Sequence, residues 1–366
     1  MIITLRRISV FSFYRNRAAR LKRVGLPALL VAVVALGMLS ACGSDNASEP
    51  EASAGASSPA VSASPSSESA AAPSAETAAS PSPETAAAAA YPQTFQDELG
   101  HEVTLPAAPT TVFAPAMEDS LLVLGVKPVA QWANGDIVPA YLQEQLGGVA
   151  KADFSAGLPS PETVASYKPD LIVLSNSYYA ENGVYEQYAK IAPTYAFSQS
   201  SADLDGSLRK LGELLGKEQE AERALSDYKR KVEAARTKLA PVTEGKKALI
   251  IRMNARGMFL MGGDYYGGYV LAQELGFGKS KLVEKESSAD LSLELLPELD
   301  ADYIFIANHA GSGDAFHKEL TDSPLWKNIP AVKEGRAFEV ADDSWLNGGL
   351  IAGGNVIDEV VRLLAP

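Results

Sequence analysis

The chain has little of what metal or redox chemistry needs. Its 366 residues include one cysteine, Cys42, so neither an internal disulfide nor a thiolate zinc cluster can form. Three histidines, His101, His309 and His317, do not suffice for a histidine-rich metal centre. Positive charge is scarce as well. Lys plus Arg total 32 against 45 Asp plus Glu, a net charge of -13, which excludes the basic footprint that binds nucleic acid. Residues 43–93 contain no Lys, no Arg and no aromatic before Tyr91. That stretch is almost wholly Ala, Ser, Pro, Glu and Thr and cannot bury enough apolar surface to offset its ordering entropy. With Cys42 it reads as a disordered tether over residues 42–93.

Enzyme signatures are missing too. No G-x-S-x-G elbow occurs, and the two S-x-x-K matches, at Ser207 and Ser226, fall on charged helical surface with no K-T-G partner. The run GFGKS at 276–280 resembles the tail of a phosphate loop, but position 273, where the first glycine belongs, is Gln273. Gly311 and Gly313 lack the third glycine of a dinucleotide fingerprint. A binding protein is the expectation, and an enzyme on the same scaffold the minor alternative.

What is present begins with an address. Residues 1–23 carry seven basic side chains and no acid, and 24–41 are uncharged and strongly apolar. A basic, then an apolar, then a small-residue region is the layout of a secretory signal. The sequence Leu39-Ser40-Ala41-Cys42 resembles the bacterial lipobox, in which the cysteine is acylated and becomes the first mature residue. This predicts a signal peptide over 1–41, a lipid on Cys42 and an extracytoplasmic position at the cell membrane. The basic region is long enough to leave room for a start codon downstream of Met1. Removing residues 1–41 takes away seven positive charges and no negative one, so the net charge falls from -13 to -20.

From residue 94 on, apolar strand-like runs at 111–114, 171–175, 248–253, 303–307 and 337–340 alternate with helical patterns, the order of an α/β fold with largely parallel sheets. Residues 160–176 (SPETVASYKPDLIVLSN) align without gaps on 292–308 (SLELLPELDADYIFIAN). Ser160/Ser292, Glu162/Glu294, Asp170/Asp302, Ile172/Ile304 and Asn176/Asn308 are identical at a constant offset of 132. A repeat at that distance predicts two lobes of one design. Between them, Ala221, Leu225, Tyr228, Val232, Ala235 and Leu239 form one apolar stripe of a helix over 217–239, which Pro241 should stop. The expected segments are a first α/β lobe at 94–202, a helical region at 203–241 and a second α/β lobe at 242–366.

In this order of segments the chain resembles the substrate-binding lipoproteins of ferric-siderophore ABC importers. These are helix-linked, class III periplasmic binding proteins, a group that includes binders of ferric hydroxamates, ferric citrate and cobalamin. The likeness rests on LGVKPVA at 124–130, ETVASYKPDLI at 162–172 and VYEQYAKIAPT at 184–194. It also rests on LGELLGKE at 211–218, SPLWKN at 323–328 and AVKEGRAF at 331–338. It implies two Rossmann-like lobes joined by one long helix, a ferric siderophore between them, and delivery to a permease dimer driven by its ATPase. The receptor is expected to be a monomer with no intrinsic cofactor and no metal ligand of its own, since the siderophore holds the iron. It also implies that a Glu on each lobe, Glu162 and Glu294, docks on the permease, although each also suits its own helix N-terminus.

For the cleft, Arg offers fixed donors to chelating oxygens, and Trp or Tyr offers flat walls. Ligands of such lobes bind beyond the carboxyl ends of strands. The candidates are Arg252 and Arg256 after the run at 248–251, Tyr265 and Tyr266 in the loop GGDYYGG, Trp345, Trp132 and Tyr178. Trp326 is assigned to the core and His309 to a loop. Haem or cobalamin is the alternative ligand, and a haem would draw on Met258 or Met261 with His309.

Overall fold

The computed structural model describes residues 91–340 and 342–365, which belong to one compact unit. The signal peptide, Cys42 and the tether up to residue 90 lie outside the described residues. A hairpin of β1 (Gln93–Gln96) and β2 (Glu102–Leu105) opens the folded part. The first lobe is built on parallel strands. β3 (Val112–Phe113), β6 (Leu171–Leu174) and β7 (Thr194–Ala196) form one sheet with β6 in the middle. β4 (Ala130–Ala133) pairs with β5 (Ala150–Asp153), and a bridge from Val112 to Pro128 joins the two groups. β6 is buried along its whole length, which is why its sequence is a continuous apolar run rather than an alternating one.

The second lobe departs from the expected parallel pattern. β8 (Lys247–Asn254), β12 (Tyr303–Asn308) and β13 (Ala337–Glu339) run parallel, as does the short β10 (Gly278–Lys279). However, β9 (Gly257–Met261) turns back antiparallel on β8 through a two-residue loop, and β11 (Ser288–Leu291) adds antiparallel to β9. A two-residue connection permits only an antiparallel return.

The internal repeat is a structural repeat. Each copy supplies an inner strand of its lobe's sheet, β6 between β3 and β7 or β12 between β8 and β13. Asp170 accepts hydrogen bonds from the Thr110 and Thr111 amides at 2.8 and 2.9 Å, and Asp302 accepts one from the Lys247 amide at 2.9 Å. Each aspartate thus ties the start of its strand to the start of the next. Asn176 and Asn308 stand at the strand exits, and their side-chain oxygens accept from Tyr179 and Gly313 amides to turn the chain.

The linking helix spans Glu218–Thr243, about 39 Å at 1.5 Å per residue. Ala221 and Leu225 are buried in the first lobe's core, and Ala235 and Leu239 in the second's, so one apolar stripe serves two cores in turn. Pro241 does not stop it. The missing N–H removes one bond near the end, while the Glu244 amide still reaches Ala240 O, and buried Leu239 and Thr243 hold the last turn.

A second connection joins the lobes. Asp119, on the short helix Glu118–Val123 of the first lobe, accepts from the Ile351 and Ala352 amides at 3.0 and 2.9 Å. Those amides open the C-terminal helix Leu350–Leu364, so a first-lobe carboxylate caps a second-lobe helix. Gly349 sits at φ 130°, and a Cβ there would fall 2.2 Å from the Asp119 carboxyl carbon, so glycine is required. Tyr141 adds a further tie, its amide donating to Asp343 at 2.7 Å and its hydroxyl to Asp119 at 3.2 Å.

Candidate functional site

The strand exits of the first lobe carry an aromatic ladder. Trp132, on β4, stacks with Phe154, which follows β5, at 6.3 Å between ring centres. Phe154 meets Tyr179 at 5.5 Å, and Tyr179 meets Tyr178 at 6.0 Å, both in the turn Ser177–Ala180 after β6. Tyr178 is 66% exposed, the most exposed of the large apolar side chains in this wall. Parallel strands side by side bring these exits together, although they are far apart in sequence. Phe154 and Tyr179 were not foreseen from the sequence; each follows an apolar or alternating run, the signal that singled out Trp132 and Tyr178.

Beneath this wall lies a buried carboxyl pair. Glu118 accepts the Trp132 amide at 2.6 Å, and it and Asp119 are almost fully buried. Burial pushes the Glu118 carboxyl up to about 7, against hydrogen bonds from the Trp132 and other amides. Burial likewise raises Asp119 to about 6, against the amides it caps.

The second lobe offers a different wall. Tyr265 and Tyr266 lie with ring centres 3.8 Å apart, and the Tyr265 hydroxyl donates to that of Tyr266 at 2.8 Å. Tyr266 has φ 46°, a left-handed conformation unusual for a bulky residue. Such strain persists where the surroundings over-determine it, often at a functional position. Here the surroundings are glycines. A Cβ on Gly268 would fall 2.0 Å from Gly262 O, and one on Gly267 would fall 3.0 Å from Trp345 O.

Arg252 lies within β8 rather than after it. It is half-buried, and its Nε is enclosed without a hydrogen-bond partner. It is close enough to Tyr266 to favour the ionised form of that hydroxyl, which burial above all pushes up. Arg256 is exposed in the β8–β9 turn, held by its amide donating to Asn254 at 2.8 Å. Burial raises the Tyr179 hydroxyl of the first wall, with smaller contributions from Glu118, Tyr178 and, from the second lobe, Tyr265.

Trp345 does not line this cleft. It is 1% exposed, packs on Phe305 at 4.7 Å and donates its indole N–H to Glu359 at 2.8 Å. Its position after β13 suggested a cleft residue, but the ring turns into the core and supports Gly267 from below. Met258 and Met261 are also core residues, 6% and 5% exposed. Trp326 is buried as expected, and His309 sits in the turn after β12. Among the described residues no cluster of three His, Cys, Asp or Glu is placed to hold a metal, and no helix is long and apolar enough to cross a membrane.

The first wall stands at the carboxyl ends of its parallel strands, the second on the loop that follows β9, and one long helix links the lobes. The family model described as periplasmic binding protein matches residues 118–343, most of the folded part. The chain belongs to the periplasmic binding protein family. It is 29% identical over 287 residues to the probable siderophore-binding lipoprotein YfiY of Bacillus subtilis, covering 73% of this chain and 86% of that one. It is 32% identical over 189 residues to the iron(3+)-hydroxamate-binding protein FhuD of the same organism, covering 50% of this chain and 58% of that one. Among solved structures, SirA of Staphylococcus aureus complexed with staphyloferrin B superimposes with a TM-score of 0.64 at 28% identity, covering 74% of this chain and 97% of SirA.

Proposed function

We propose that this protein captures a ferric siderophore between its two lobes and hands it to an ABC importer. The observation that carries the reading is the half-buried guanidinium of Arg252 close to Tyr266, in the lobe that also holds the Tyr265–Tyr266 pair, together with the aromatic ladder of the first lobe. Such a guanidinium offers fixed charged donors to chelating oxygens. Trp132, Tyr178, Phe154 and Tyr179 give flat surface to the organic scaffold, and Arg256 stands at the rim. Iron is cargo here, since the siderophore supplies its oxygen ligands.

On this reading Cys42 carries the lipid that holds the receptor on the extracytoplasmic face. Glu162 and Glu294, exposed at matching first turns, meet basic residues of the permease dimer. The receptor works as a monomer with no catalytic group. The test is titration of the full chain, in detergent, with a panel of ferric siderophores, read by Trp132 fluorescence and calorimetry. One chelate per chain is expected, with the iron-free form weaker because the metal pre-organises its oxygens. Arg252→Gln should weaken binding roughly tenfold to a hundredfold, corresponding to about 1.5–3 kcal/mol for a charge-assisted hydrogen bond. Binding of haem or cobalamin, with no response to any ferric chelate, overturns the reading.

A further inference from the structure

We infer that Glu118 is a positioning residue of the aromatic wall, and that a ferric chelate packing on that wall drives a proton onto it. This rests on the ferric-siderophore reading and adds a proton to the binding step. The carboxyl accepts the Trp132 amide at 2.6 Å, and the residue is 3% exposed. Trp132 is the first rung of the ladder that runs through Phe154 to Tyr179 and Tyr178. Tyr179 lies close enough for the Glu118 charge to act on its hydroxyl, so one carboxyl faces both the Trp132 and the Tyr179 ends of the wall. A single strand amide needs only a neutral acceptor, which Gln supplies without the cost of burying a charge. What a carboxyl adds at this place is an ionisation.

Two opposing effects bring that ionisation near neutral pH. Burial disfavours the charge and the Trp132, Glu118 and Ala116 amides favour it, which leaves the carboxyl at about 7. A small change above it then shifts the balance. The groups that face it are Asp119 on the same helix, Tyr179, and Tyr141 on the turn Ala140–Leu142 with Asp343 beyond, and none of these is a cation. A chelate on the wall displaces water over the carboxyl and brings electron-rich oxygens toward it. Both changes favour the neutral form, so Glu118 holds its proton to a higher pH in the complex than in the free chain. Binding therefore takes up a proton above about pH 7, and affinity falls as pH rises until the carboxyl is ionised in both states. Asp119 titrates lower, at about 6.

The experiment compares the full chain in detergent with its Glu118→Gln variant, which keeps an acceptor for the Trp132 amide, leaves Asp119 in place and cannot ionise. Without ligand, Trp132 reports on the wall, since Trp326 and Trp345 are only 5% and 1% exposed. Its emission should pass through a transition near pH 7 that the variant lacks. Calorimetric titrations at about pH 6 and about pH 8.5 then use ferrioxamine E, ferric enterobactin and ferric dicitrate, and any titration of the chelate itself cancels between the two proteins. Affinity for the tightest of the three should fall roughly five- to tenfold further in wild type than in the variant, as a rise of about one pH unit for the bound carboxyl requires. Equal pH dependence of affinity in the two proteins, or a Trp132 emission that follows pH alike in both, overturns the role of Glu118 and leaves the siderophore reading intact. Binding of no ferric chelate, with the Trp132 transition present in wild type alone, overturns the siderophore reading instead; without that transition, both fall.

Discussion

The two copies of the internal repeat share their frame and differ at their ends. Both place an aspartate at the start of an inner strand and an asparagine at its exit. The first copy opens on a capped helix, with Ser160 accepting from the Thr163 amide at 3.2 Å and Pro161 at the first helical position. The second opens on a 3-10 stretch, Leu293–Glu298, with Pro297 inside and no such cap from Ser292. Beyond the strands the first copy leads into Tyr178 and Tyr179, and the second into the turn His309–Gly311. What the two copies share is the part that orders a sheet. What differs is the loops beyond it, where sequence varies most freely on a common scaffold.

The largest expected effect tests the feature that both copies still share on the surface. The hydrogen bonds that hold the Glu162 carboxyl below its ordinary range come first from its own amide and then from Ser160, whereas for Glu294 Ser292 comes first. Reversing both to Arg should abolish iron uptake in cells and leave siderophore affinity within about threefold. Uptake at the wild-type rate would show that the matched glutamates only serve their helices.

Next comes the pair of strand-start aspartates. Despite partial burial, hydrogen bonds from Thr110 and Thr111 hold Asp170 below the usual carboxylate range, and those from Lys247 and Lys246 do the same for Asp302. Asp170→Ala leaves two amides and a hydroxyl without an acceptor and should cost about 2–3 kcal/mol in denaturant unfolding. Asp302→Ala frees one amide and a lysine that can turn to water, and about 1–2 kcal/mol is expected. Equal or reversed losses would mean that the two frames are held by something other than these carboxylates.

The smallest effect probes what only the first lobe has, the buried pair Glu118 and Asp119. Both carboxyls are raised by burial, to about 7 and about 6, so the folded chain holds protons that the unfolded chain releases near pH 4. Their contribution therefore falls as pH rises through the window from about 4 to about 7. Glu118→Gln keeps an acceptor for the Trp132 amide and removes the ionisation. Its melting temperature should fall less than that of wild type between about pH 5 and pH 8. Parallel melting profiles for the two proteins would place the titration elsewhere.

The amino-acid sequence by itself determined the α/β class, the repeat, the strands within it and the linking helix. Each of these rests on local periodicity or on identity at a fixed spacing, which neighbours in space do not alter. The apolar stripe from Ala221 to Leu239 is one such case, and it packs as its spacing demands. Only the tertiary structure decided which way side chains turn at the strand ends. Trp132 and Trp345 both accompany apolar strands, yet one stacks in the open ladder and the other fills a core, because rotation about a strand exit is set by what packs against it. Phe154 joins Trp132 and Tyr179 only because β4, β5 and β6 end on the same side of their lobe. Asp119 reaches residues 351 and 352, more than two hundred positions away, to cap a helix of the other lobe. No local pattern signals such a contact, since the carboxylate and the amides it satisfies meet only after both lobes have formed.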